Sequence, residues 1–253
     1  MTSAWVGAAA AAAAAAGVVI RSAMPADCGA LSQLFGDTWG AARAPDAALL
    51  QAAGHAGNTV LVAAANQVIV GGLFGFLGWQ SGLHMHSHMA AVRPGARRAG
   101  VGYALKLAQR AHCLDHGIGE VRWTYDPLIR RNAHLNLAKL GAEVRAFHQD
   151  FYGILNDAVT GDDRSDRFEV SWQLGSAAVR EALAGRRSSA DASAAVARLD
   201  LEADFEQLRS TDPARALRLR LESRPLFAGA LQAGQRIRYV DGAYLFLAAG
   251  GGR

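Results

Sequence analysis

The sequence predicts a mixed α/β sheet with helices on its faces, followed by a small α+β appendage. Three observations predict it. Over residues 18–173 the apolar pattern switches between strand alternation and helical period in the order β-α-α-β-β-β-α-β-α-β-β. Strands over 83–92 and 120–125 flank a helix over 100–116, which a right-handed crossover turns into a parallel pair. The small polar stretch SSADASAA at 188–195 then reads as a linker to a new pattern of strand, helix and hairpin. The implied organisation is an Ala-rich tail over 1–17, a main domain over 18–175, a helix and linker over 176–195, and an α+β extension over 196–253.

Each element has a local reason. Residues 18–21, VVIR, form a short strand, and Asp27 offers a cap to a helix carrying Leu31, Leu34 and Phe35 at helical spacing. Pro45-Asp46 opens a second helix through Leu49 and Leu50. Residues 59–64 and 68–77 are strands on either side of a hairpin-like break at Ala65-Asn66-Gln67. The helix over 100–116 places Val101, Ala104, Leu105, Ala108 and Ala111 on one face, and Gly117 terminates it. The strand at 120–125 stops at Asp126-Pro127, a helix over 130–140 ends at Gly141, and 143–147 and 168–172 are strands. In the extension, 196–201 is a strand. Asp212-Pro213 starts a helix that Pro225 is expected to kink, and a hairpin turns at Asp241-Gly242.

The chain has 253 residues, 51% of them apolar and 19% charged, enough for a sizeable core and unlike a disordered chain. The net charge of +4 rests almost wholly on arginine, since Lys106 and Lys139 are the only lysines. Arginine grips phosphate bidentately and keeps its charge. There is no dense basic tract of the kind that nucleic-acid binding needs, and the expectation is of no nucleic-acid partner. Cys28 and Cys113 have no paired-metal spacing and suit a reduced, cytoplasmic protein. The nine alanines at 8–16 follow no Lys or Arg, as a signal peptide would require, and are too short to span a bilayer. They read as a disordered or fraying helical tail, and no membrane association is expected.

The stretch VRPGARRAGVGYAL at 92–105 sits between a strand and a long helix. A helix N-terminus presents unpaired N–H groups and the positive end of the helix dipole. Gly100 and Gly102 let the backbone approach an anion closely, and Arg97 and Arg98 add charge. The alternative is an ordinary Gly-rich turn.

Arg97-Arg98-Ala99-Gly100-Val101-Gly102 resembles the Q/R-x-x-G-x-G/A pattern of the GCN5-related N-acetyltransferases, the GNAT superfamily, and the element order of 18–173 is similar to that family's sheet. The strings SHM (87–89), WTYDPL (123–128), RNAHLNLAKLGA (131–142), DFYG (150–153) and DRFEVSW (166–172) resemble an uncharacterised "predicted acetyltransferase" branch. The C-terminal string ADFEQLRSTDPARALRLRLESR (203–224) is similar to that branch's extension. The resemblance implies an acyl-CoA N-acyltransferase fold and acetyl-CoA, or another acyl-CoA, as co-substrate. It implies pyrophosphate contacts from Arg97, Arg98, Ala99, Gly100, Val101, Gly102 and Tyr103. It also implies a backbone N–H near Met89, Ala90 and Ala91 that meets the thioester carbonyl.

Direct attack by an amine needs the neutral amine, and amines with pKa values of about 8 to 10.4 are mostly protonated at neutral pH. A positioned base is therefore useful. His84, His86 and His88 alternate on one strand, and His88, inside the SHM string, is the candidate base or substrate contact; packing is the alternative, favoured for His84 and His86. A metal reading of the HxHxH run lacks a supporting carboxylate or cysteine neighbour, so no metal is expected. The tyrosine that commonly protonates the leaving thiolate in this family aligns with Leu137, which leaves Tyr152, and behind it Tyr125, as candidate acids. Asn132 and Asn136 share a helix face and are candidates for contacts to the coenzyme or substrate. Asp126 is a candidate to hold the substrate ammonium or to bridge to Arg131. Asp166-Arg167 is compatible with a simple loop-closing ion pair.

Two functions follow. One is an acyl-CoA-dependent N-acyltransferase for a small, amino-acid-like amine, acting through a tetrahedral intermediate. The other is a non-catalytic acyl-CoA-binding sensor or assembly module, fed by the missing tyrosine. The extension is a candidate either for covering the amine site or for a homodimer contact.

Overall fold

Alanine has the highest helix propensity and loses no side-chain entropy. In the computed structural model, which describes residues 3–97, 99–155, 160–186 and 194–249, the alanine run is accordingly helix α1 (Ala4–Ala15) and not a disordered tail. Tertiary contacts hold it: Trp5 Nε1 donates to Asp115 Oδ1 at 2.7 Å, and Ala13 is buried.

The chain divides into two compact units, Met1–Arg122 and Trp123–Arg253. The division falls inside strand β5 (Glu120–Tyr125), away from the composition changes near 175 and 195. Most of the stretch read as a linker, 188–193, lies outside the described residues.

In the first unit β1 (Val19–Ser22), β2 (Val60–Ala65), β3 (Val68–Gly78) and β4 (His84–Val92) pair antiparallel in chain order. The predicted parallel pair is present: Met85 faces Val121 and His86 faces Arg122. The β2–β3 turn uses Asn66 (φ 49°) and Gln67 (φ 64°), the left-handed pair that a tight hairpin demands. Helices α2 (Cys28–Trp39) and α3 (Ala47–His55) bury Leu31, Leu34, Phe35 and Leu50 against Val60, Val62 and Phe74 on one sheet face. Helix α4 (Val101–Asp115) buries Val101 and Leu105 against Leu61, Ala63 and Leu73 on the other. Helix α3 opens after Pro45-Asp46, as expected, and Asp46 caps it through Leu49 N–H. Asp27 does not cap α2. Its carboxylate is drawn back to the Arg21 guanidinium and the Met24 N–H.

In the second unit the strand order is β5-β7-β6, with β6 (Glu143–His148) antiparallel to β7 (Arg167–Gln173). Helix α5 (Arg130–Ala133) runs on into a π-helical segment, His134–Lys139, and α6 (Ala177–Leu183) follows β7. The extension supplies β8 (Ala195–Asp200), α7 (Phe205–Thr211), α8 (Pro213–Gln232), β9 (Arg236–Val240) and β10 (Ala243–Leu247), with a second sheet ordered β8-β10-β9. Asp212 caps α8 at Arg215 N–H, and α8 continues through Pro225 as one helix. The expected β9–β10 turn has Asp241 and Gly242 at φ 44° and 91°. Phe168 and Phe147 pack edge-on against Phe227 with ring centroids 4.5 and 5.3 Å apart, and Tyr244 lies 5.5 Å from Phe168. Phe227 and Tyr244 come from the extension, so it shares a core with residues 143–173.

Candidate active site

Strand β4 is irregular where the candidate base stands. Phe74 pairs with Met89 and Gly75 with Ser87, so His88 is an extra residue, a β-bulge. The partner strand permits this only with glycine: a Cβ on Gly75 would come within 2.7 Å of Thr59 Oγ1 and 2.8 Å of both Gln109 Nε2 and the His86 carbonyl. The bulge resets the alternation. Met89 and Ala91 pack on the α2–α3 face, while Ser87 turns to α4, where its Oγ accepts a 2.7 Å hydrogen bond from Lys106 Nζ.

His88 is exposed and rests among aromatic rings, 6.0 Å from Phe74, 5.6 Å from Phe76 and 5.9 Å from His86. Partial desolvation, with help from the positive charge of Arg43, lowers its pKa below the ordinary 6.5 and favours the neutral imidazole. His84 is a packing residue: it is buried, its Nδ1 is 2.8 Å from the Gly82 carbonyl, and its ring fills the space that a side chain at Gly78 would need. His86 is half-buried against Phe76. Among the described residues no group of three or more His, Cys, Asp or Glu is arranged to hold a metal.

After β4, Arg93 is tied to the sheet by its N–H to the Val70 carbonyl and its Nε to the Ile69 carbonyl. Arg97 is exposed and its Nε reaches the Val92 carbonyl at 3.2 Å. Arg98 lies outside the described residues. Ala99 is exposed, and Gly100 is left-handed (φ 87°), which tips the chain into α4. Val101 anchors the first turn in the core, while a Cβ on Gly102 would meet only Val92 Cγ2, at 4.0 Å. Ala16, just past α1, lies 3.9 Å from where a Cβ on Gly100 would stand. Tyr103 is half-buried and Ala90 exposed.

One charged group beneath β4 escaped the sequence reading. Lys106 is 5% exposed on the inner face of α4, and burial drives its pKa from 10.5 to about 7 despite the pull of Cys113. Burial likewise pushes the Cys113 thiol up to about 12. Gln109 and Arg110, three and four residues on along α4, are buried as well, so the apolar period of the helix did not single Lys106 out.

Residues 29–141 match the family model of the acetyltransferase (GNAT) family. The GNAT fold recurs in yncA of Salmonella typhimurium with its cofactor acetyl-CoA, at 20% identity over 63% of this chain and 95% of that one, TM-score 0.51. It recurs in the ribosomal-protein-S18-alanine N-acetyltransferase of Escherichia coli, at 15% identity over 63% and 96%, TM-score 0.51. It recurs again in diaminobutyrate acetyltransferase EctA of Paenibacillus lautus with L-2,4-diaminobutyric acid and coenzyme A, at 18% identity over 63% and 96%, TM-score 0.50. At these identities the likeness is one of fold. No curated protein matches the sequence.

The candidates on the second unit fare differently. Asp126 is not available for a substrate ammonium. Arg220, wholly buried, grips its carboxylate at 2.8 and 3.1 Å and also bonds Asp163 at 2.6 Å. Burial alone would push the Asp126 carboxyl up, but Arg220, with Arg167 and Arg209, outweighs it and holds the pKa below the usual value. Asp126 therefore bridges to Arg220 and not to Arg131, whose guanidinium pairs with Glu206. Asp166 likewise pairs with Arg224, at 2.8 and 2.9 Å, and its backbone carbonyl accepts from Arg167 Nη1.

The Tyr125 hydroxyl is buried 3.2 Å from that of Tyr244, which donates to the Pro127 carbonyl, and burial raises its pKa far from an acid's range. Tyr152 is 38% exposed, with its hydroxyl 3.3 Å from Thr124 Oγ1 and the Arg167 guanidinium 5.5 Å from its ring centroid. Asn132 is half-buried. Asn136 is buried in the π-helical segment, its carbonyl accepting from Ala142 N–H, and Leu137 is buried next to it. No described helix is long and apolar enough to cross a membrane.

Proposed function

We propose that this chain is an acyl-CoA-dependent N-acyltransferase, using acetyl-CoA or a related acyl-CoA to acylate a small amine. The observation that carries the reading is the succession of bulge, loop and helix: β4 with His88 at its bulge, then left-handed Gly100 opening α4 with room left open at Gly102. The residues fit a diphosphate. The first turn of α4 offers backbone N–H groups, Gly100 and Gly102 present no Cβ, and Arg97, joined in this proposal by Arg98, supplies positive charge.

The chain's own residues would divide the work as follows. Ala99, Val101 and Tyr103 lend amides to the diphosphate. Of Met89, Ala90 and Ala91, just beyond the bulge, Ala90 offers its backbone N–H to the thioester carbonyl, which gains charge as the amine attacks; the register that sets Arg93 N–H on the Val70 carbonyl turns the N–H groups of Met89 and Ala91 toward β3. His88, neutral at neutral pH, takes a proton from the amine. Tyr152, exposed, is the proposed proton donor to the departing thiolate, and Asn132 and Asn136 the proposed polar contacts to the pantetheine amides. The acceptor is read as a small, amino-acid-like amine, and the protein as cytoplasmic. Leu137 in place of a tyrosine favours a second reading, an acyl-CoA-binding module without turnover.

Calorimetry with coenzyme A, paired with thiol release from acetyl-CoA across a panel of amines, tests both. Binding with amine-dependent release supports the transferase; binding alone supports the module; no binding defeats both readings.

A further inference from the structure

We propose that the extension is a self-association surface, and that a second copy of this chain docks edge to edge on β8. Strand β8 ends the β8-β10-β9 sheet, and among the described residues it has a strand partner only in β10. Such an edge is a template for another strand.

The register follows from hydrogen-bond parity. Leu201 N–H donates to the Gly242 carbonyl at 2.9 Å, so by antiparallel alternation Leu199 also turns its backbone groups toward β10. Arg198 and Asp200 therefore turn theirs outward. A second β8 running antiparallel about a two-fold axis at Leu199 brings Arg198 opposite Asp200 of the copy, and Asp200 opposite its Arg198. Both are pairs whose outward amides and carbonyls meet. The neighbouring centres that keep this parity are poorer. An axis at Leu201 sets Asp200 against Glu202, a like-charge pair, and one at Ala197 sets Arg198 against Val196, which a register shift leaves out of the pairing with β10 and where the parity breaks.

Charge thus selects a single self-complementary register. In one copy the same two residues already pair with each other, at 2.6 and 3.0 Å, on an exposed edge, and Asp241 adds to the negative field around Arg198. Docking turns one exposed pair in each copy into a ring of four alternating charges. Beside this edge an open groove of about 280 Å³ is lined by Val196, Ala197, Pro225, Leu226, Gly229 and Phe246. Val196 and Leu226 stand 58% and 40% exposed there, apolar surface adjoining the proposed seam. Isologous pairing of this kind closes at two copies.

The test is sedimentation of the full chain over a range of concentrations. The wild type is expected to dimerise reversibly. Arg198→Asp sets Asp against Asp twice and is expected to weaken dimerisation by about 10- to 100-fold, and Asp200→Arg alone must do the same. The double variant Arg198→Asp/Asp200→Arg exchanges the charges and is expected to restore the dimer. Circular dichroism establishes that each variant is folded, as expected for exposed positions. A wild type that stays monomeric, a dimer indifferent to either single variant, or a double variant that fails to re-associate each overturns the proposal. Acyl-CoA turnover plays no part in the readout, so this test stands apart from the proposed chemistry.

Discussion

Replacing Lys106 by methionine is predicted to flatten the pH dependence of stability between pH 7 and 9. In the folded chain burial brings this ammonium from 10.5 to about 7, whereas the unfolded chain keeps it protonated until near 10.5. The unfolded state therefore holds more protons across that window, and stability rises with pH. Each pKa unit is worth about 1.4 kcal/mol, so the two units from 7 to 9 contribute about 2–3 kcal/mol. Cys113 sets the upper limit. Its thiol, ordinarily at 9.0, is pushed up to about 12, so above pH 9 the unfolded chain loses that proton first, the loss offsets the proton still held by Lys106, and the slope goes flat. Methionine is apolar, adaptable and of similar length. Losing the hydrogen bond to Ser87 costs about 1 kcal/mol, a cost that does not vary with pH and cancels from the slope. Urea unfolding midpoints at pH 7, 8 and 9 measure the effect. Parallel profiles for wild type and Lys106→Met would refute the reasoning, because the buried ammonium would then not be the source.

His88→Ala is expected to lower kcat by about 10²- to 10⁴-fold. The acid limb of kcat/KM for the wild type should lie below 6.5, and Arg43→Gln should move it upward, since the positive charge of Arg43 opposes protonation of His88. Gly102→Val fills the open space at the start of α4 and should weaken coenzyme A binding by roughly 10- to 100-fold, a cost of about 1–3 kcal/mol, read by calorimetry with an unchanged melting temperature. Arg220→Ala leaves Asp126 buried without its main counter-charge and should destabilise the second unit by about 3–5 kcal/mol. Because the Asp126 pKa is lowered on folding, the stability it contributes is present above its ordinary value of 3.8 and lost as pH falls through the lower folded one, so acid unfolding should report the same contact.

The sheet was legible because strand and helix periods are local. The parallel partnership of 83–92 with 120–125, the caps at Asp46 and Asp212, and the turns at Asn66-Gln67 and Asp241-Gly242 follow from a few neighbouring residues each. The alanine run misled because composition alone does not say whether a helix finds something to pack on; Trp5 and Ala13 find it. The bulge at His88 was hidden because it depends on Gly75, a residue on the partner strand. Asp126 misled for a related reason. An acidic residue at the end of a parallel-sheet strand reads as ligand-binding, but its partner, Arg220, is 94 residues away, and nothing local announces a contact at that separation.

Phe227 and Tyr244 complete the aromatic core that Phe147 and Phe168 begin. This arrangement sets a timetable for the nascent chain. The ribosome adds about 5–20 residues per second, so several seconds separate the emergence of Gln173 from that of Tyr244. Throughout that interval the rings of Phe147 and Phe168 wait without the neighbours they close on. A transcript truncated in this interval would yield a first half able to collapse by itself and a second half left sticky, a substrate for chaperones.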